Sequence, residues 1–161
     1  MSLKKNESEI KHLAHSDRKV YSVLSDLNNL NKLPAIFDDE EKRNQLVSQF
    51  GEEKVKKIQE ALNEMEITSD SASFNAPMVG KATFEIVERE EPKLIKFEAK
   101  GLPVKACVWV QILPEGDSRC KMKVTTGVEV NFLIKGMIDK YLEPGVNQLA
   151  GVLAALPYDK I

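Results

Sequence analysis

Two histidines, two cysteines and one tryptophan are the residues of this 161-residue chain best suited to chemistry or recognition. His12 and His15 lie three apart, at the end of a segment (residues 7–14) whose alternation predicts a strand. Strand side chains three apart face opposite sides, so the pair assembles neither a histidine metal cluster nor a Ser-His-Asp triad. His12 shares parity with Ser8, Ile10 and Ala14 and is expected to point inward. There it can hydrogen-bond a ligand or act as a general acid or base. The other reading is a structural histidine, with one ring nitrogen bonded to backbone or to a nearby hydroxyl. His15 falls in the following turn and is expected to be exposed.

Cys107 and Cys120 cannot form a metal site by themselves. Both fall in predicted strands joined by the turn Pro114 to Ser118. If that turn sets Leu113 opposite Arg119, Cys120 pairs near Ile112 and Cys107 lies several rungs away on the other face. That separation rules out a disulfide between them, and two reduced thiols fit a reducing compartment. No glycine-rich phosphate loop is present.

These residues are positioned by elements of two periods. Ser16 reads as the N-cap of a helix carrying Val20, Leu24 and Leu27, which ends near Asn28-Asn29. Two further helices are predicted between Asp38 and Met65. The first has a short apolar patch at Leu46, Val47 and Phe50, and the second a narrow stripe at Val55, Ile58, Leu62 and Met65. Lys54, Lys56 and Lys57 form no basic site, because Glu52, Glu53 and Glu60 sit among them, with Glu52–Lys56 and Glu53–Lys57 at i,i+4.

From Ile67 the period changes to two. Successive strands place Ala82, Phe84 and Ile86; Ile95, Phe97 and Ala99; Val108, Val110 and Ile112; and Met122, Val124 and Thr126 on one apolar face. The turns between them are too short for a crossover helix, so neighbouring strands run antiparallel. The opposite face is lysine-rich and includes Trp109, which marks a partner or oligomer contact or else lies shielded under lysine stems.

The segment from Leu133 to Tyr158 is the most apolar of the chain. As a membrane span it would place Lys135, Asp139, Lys140 and Glu143 in hydrocarbon, at about 2.5–3.5 kcal/mol each near the midplane. Asp139, Glu143 and Asn147 instead recur on one side, which predicts a long amphipathic helix, kinked or broken near Pro144, that covers the sheet. A charged content of 30% and a net charge of -2 give no electrostatic reason to expect nucleic acid as a partner. The N-terminus lacks the apolar core of a signal peptide, so the expected location is cytoplasmic, and Met1 to Lys5 are expected to fray.

The order strand, helices, antiparallel strands and long C-terminal helix resembles the START-like (SRPBCC, helix-grip) superfamily, in its polyketide cyclase/dehydrase-like branch. The phrases that carry the resemblance are AHSDRKVYSVLSDLNNL, VEREEPKLIKFEAKG, VWVQI and GVNQLAGVLAALPY. The resemblance covers nearly the whole chain, as a single domain over 1–161, and departs from the family in the long helical region from Asp38 to Met65. It implies an α+β helix-grip fold, a curved antiparallel sheet wrapped around the C-terminal helix, with extra helices between the first two strands.

It also implies a cavity between sheet and helix for a small hydrophobic molecule that is lipid-, sterol- or polyketide-like. The expected lining is Ile10, His12, Phe84, Ile86, Phe97, Val108, Val110, Met122 and Val124 from the sheet, with Met137, Ile138, Tyr141, Leu142 and Leu149 from the helix. The alternative to that lining is a closed core. Binding without catalysis, with no cofactor and no metal, is the implied function. One rival is a cyclase- or aromatase-like enzyme using His12, Tyr141 or Thr126 as proton handler. The other is a protein-interaction module, with a homo-oligomer through the Trp109 face or contacts through the 38–65 helices.

Overall fold

The change of period at Ile67 is a change of layer. Helix α4 (Glu52–Glu64) ends there, and every regular element from Glu66 to Val130 is a strand. The computed structural model describes residues 2–76, 80–102, 104–130, 135–156 and 158–161, with backbone alone at 2, 36, 76, 130, 135–143 and 160. One antiparallel sheet is formed by β1 (Ser2–Glu7), β2 (Lys11–Leu13), β3 (Glu66–Ile67), β4 (Ser71–Ala76), β5 (Gly80–Glu90), β6 (Leu94–Lys100), β7 (Ala106–Pro114) and β8 (Cys120–Val130). Its order is β1-β8-β7-β6-β5-β4-β3, with β2 continuing β1 along β8. Residues 2–5, expected to fray, are held as an edge strand, Ser2 opposite Val130 through Lys5 opposite Gly127.

Helix α5 (Lys135–Ala155) runs along β8, β1 and β2 and is helical through Pro144 without a break. Its Val146 and Ala150 are buried against Leu13, Ile95, Val110, Met122 and Val124 of the sheet. Helix α1 (Asp17–Leu24) closes the same core with Val20, Tyr21, Val23 and Leu24. The Lys19 N–H donates to Ser16 Oγ at 3.1 Å, which makes Ser16 the N-cap the sequence predicts. This is the α+β helix-grip arrangement, with extra helices between the N-terminal strands and the meander. Among the described residues no helix is long and apolar enough to cross a membrane.

Those extra elements are a 3-10 turn (Leu27–Lys32), α2 (Pro34–Phe37), α3 (Glu40–Phe50) and α4. Asp39 caps α3 by accepting from the Glu41 and Lys42 N–H groups, and Gly51 (φ 90°) turns the chain into α4. Glu52 differs from expectation. Its carboxylate takes both guanidinium nitrogens of Arg43 across the α3–α4 corner, at 2.6 and 3.2 Å, rather than Lys56 on its own helix.

The β7–β8 hairpin also departs from its expected register. Glu115 N–H donates to Arg119 O, so Leu113 pairs with Lys121 and Cys120 with Pro114. A two-residue shift preserves parity, so the apolar set stays inside. Both cysteines are free and buried.

Candidate functional site

The N-terminal strand does not keep one parity. From Glu7, opposite Thr125, to Lys11, opposite Met122, the chain advances four residues while β8 advances three. The extra residue is a bulge, and it exchanges the faces beyond it. Ser8 is buried before the bulge, its hydroxyl accepting from Val124 N–H at 2.9 Å, and Leu13 is buried after it. His12 is consequently turned to solvent with its side chain 57% exposed, and its Nδ1 lies 2.6 Å from Glu115 Oε1 of the hairpin. That hydrogen bond is the main reason the Glu115 carboxyl lies below its ordinary value. The charges of His12, Lys121 and Arg119 add to it, and partial desolvation opposes it. His12 therefore neither lines the interior nor handles a proton there, and Ile10, at 53% exposed, is likewise outside.

The other expected sheet residues divide into two groups. Ile86, Val110, Met122 and Val124 are buried and fill the core. Phe84, Phe97 and Val108 face the same side but remain half-buried, towards the end of the sheet where Phe74 and Phe84 stack with centroids 5.9 Å apart. The side chains of Met137, Ile138, Tyr141 and Leu142 lie outside the described residues.

An apolar cavity formed by the described residues lies elsewhere. Its volume is about 270 Å³, and it opens between the helical region 27–65 and the C-terminal half of α5. Leu33 and Phe37 close one side, Leu46 and Phe50 of α3 and Ile58 and Leu62 of α4 another, and Leu149, Leu153, Ala155 and Leu156 the α5 side. Among the described residues every lining side chain is apolar, and Leu149 is the one of the expected lining that belongs to it. The sequence carried a signal for this wall. The narrow stripe Val55, Ile58, Leu62 and Met65 is what a helix shows when it lies on another apolar surface. The C-terminal helix has a stripe wide enough for two partners, the sheet and these helices.

On the outer face, Trp109 is half-buried rather than bare. Lys5 and Lys96 place their ammonium groups 5.1 and 5.4 Å from its ring centroid. Near the hairpin a groove of about 420 Å³ runs past Ile10, Leu94 and Leu113 between Lys93, Lys121 and Lys123. Among the described residues no three His, Cys, Asp or Glu side chains are grouped to hold a metal.

No family model and no curated protein matches the sequence. Solved structures do match, at the level of fold. Norcoclaurine synthase from Thalictrum flavum superposes with a TM-score of 0.65 at 13% identity, over 96% of this chain and 94% of that one. A START superfamily protein from Mycobacterium smegmatis gives 0.52 at 13% identity, over 96% and 94%. A conserved protein from Geobacillus kaustophilus gives 0.53 at 17% identity, over 98% and 91%. The architecture is that of a helix-grip protein, an antiparallel sheet closed by a C-terminal helix. More particularly, the chain has the START-like (SRPBCC) fold, with a helical elaboration that carries its own cavity.

Proposed function

We propose that the protein binds a small hydrophobic molecule, without altering it, in the cavity between the 27–65 helices and α5. The observation that carries this reading is a cavity whose described lining side chains are all apolar. Such a wall recognises shape and apolar area, at about 25 cal/mol per Å² removed from water, and offers no hydrogen bond to orient a polar group. The volume of about 270 Å³ suits a compact ring system or a short acyl chain, the apolar body that lipid- and polyketide-like molecules share, better than an entire sterol.

The cyclase-like alternative requires a proton-handling group against the ligand. His12 faces away from the interior, and among the described residues none of the side chains lining the cavity titrates. Binding therefore accounts for the geometry with fewer requirements. Native mass spectrometry of freshly purified protein, followed by denaturing extraction, tests it. A retained apolar compound of a few hundred daltons (roughly the size this class of pocket takes), absent from an Ala155→Phe variant that fills the cavity, is the expected result. Retention unchanged in that variant would place the ligand elsewhere.

A further inference from the structure

The groove of about 420 Å³ near the β7–β8 hairpin lies on the outer face of the sheet, away from both the core and the helical cavity. Register sets its lysines among apolar neighbours. Lys121 stands opposite Leu113, and Lys123 opposite Gln111, which pairs on its other side with Leu94. Lys93 O accepts from Ile112 N–H at 2.8 Å, so Lys93 carries the β6 side of the groove on towards the hairpin. Ile10, outside like His12, adds its side chain from the N-terminal strand. Among the described residues the exposed large hydrophobic side chains are Ile10, Leu113 and Val87, and the first two line this one groove. Apolar surface gathered in a concave place and rimmed by charge marks a contact rather than a scatter of exposed residues.

The charge of the rim is one-sided. Its described lining holds three lysines and no carboxylate, in a chain whose net charge is -2. Lys123 Nζ has an ion pair with Glu7 Oε1 at 3.3 Å, and Lys93 and Lys121 have none among the described residues. The Glu115 carboxylate, whose charge Lys121 feels, is hydrogen-bonded to His12. Thr125 Oγ1 donates to Gln111 Oε1 at 3.3 Å, which leaves the Gln111 amide N–H groups as donors for a ligand. We infer that the groove is a second binding site, for a small organic anion whose carboxylate or sulfonate meets Lys93, Lys121 and Lys123 while its apolar body covers Ile10, Leu94 and Leu113. Three lysine heads on apolar stems suit that combination of charge and apolar area. A polyanion or an anionic membrane surface fits less well, because it would also meet Glu7 and Glu115. None of the groove's residues lines the helical cavity, so the site stands independently of the proposed function.

The test compares 2-naphthoate with 2-naphthol, an anion and a neutral molecule on the same ring system near neutral pH. Affinities are read from the NMR shifts of the Ile10 and Leu113 methyl groups. Wild-type protein is expected to bind 2-naphthoate about tenfold more tightly at low salt, a preference that shrinks in about 0.5 M sodium chloride. Lys121→Gln combined with Lys123→Gln should erase the preference, and Leu113→Ser should weaken both probes severalfold. These side chains lie at the surface, so both variants should melt close to wild type. Equal affinities for the two probes on wild type, or shift changes confined to helical-cavity residues such as Leu62 and Leu153, would overturn the site and leave the helical cavity standing. A preference for 2-naphthoate undiminished in the double lysine variant would overturn it too.

Discussion

The backbone N–H of Glu9 donates to Asn147 Oδ1 at 2.8 Å, joining positions 138 residues apart in sequence. Glu9 sits in the bulge between β1 and β2, and Asn147 lies midway along α5, so the bond fixes the helix to the irregularity that reverses the strand's faces. Ser8 completes the anchor on the sheet side through its two bonds with Val124. Asn147→Ala should lower unfolding free energy by about 1 kcal/mol in urea, with the slope unchanged. Asn147→Asp, which keeps the acceptor, should recover part of the loss.

His12 and Glu115 give a prediction of opposite character, because they lie outside. His12→Ala should leave apolar ligand binding unchanged, whereas an inward proton handler would not be dispensable. The Glu115 carboxyl should rise towards its ordinary value of 4.5 in that variant, as read by an NMR titration. A lowered folded value contributes stability that is present above the unfolded value and lost as pH falls through the folded one. The variant should therefore lose this part of the wild type's acid dependence.

Gly127 lies beneath Trp109. A Cβ there would come within 2.8 Å of both Trp109 Cζ3 and Leu3 Cδ2. Gly127→Ala should destabilise by about 1–3 kcal/mol through overpacking and shift the emission of the only tryptophan as the ring moves off Lys5 and Lys96. An unaltered spectrum would mean that the ring does not rest on this glycine.

Tyr158 is fully buried, and its hydroxyl donates to Leu153 O at 2.5 Å, holding the end of α5 beside the helical cavity. Burial, with a smaller contribution from the nearby Cys120, pushes its pKa well above the usual phenol range. Tyr158→Phe should cost about 1–3 kcal/mol by leaving the carbonyl unpaired, measurable by thermal or chemical unfolding.

Much of the fold was legible because it rests on local period. Ala82, Phe84 and Ile86, or Val108, Val110 and Ile112, fall on one face whatever the register, and a hairpin slip of two residues does not disturb them. The N-terminal face was not legible, because a single inserted residue reverses parity and nothing in ESEIKHLA marks where it sits. The cavity was legible only in halves. Leu46 and Phe50, the Val55–Met65 stripe and the Leu149–Leu156 stripe were all visible as apolar surfaces. Which surface meets which is a tertiary fact that local spacing does not encode.

The cavity between the helices and α5 is tested most directly by a fluorescence titration with 1-aminoanthracene on wild type and Ala155→Phe. Saturable binding by wild type, weakened about tenfold or more in a variant that keeps its fold and stability, is the predicted result. Equal affinity for the two proteins, with the variant folded, would contradict it and show that this cavity does not hold the ligand.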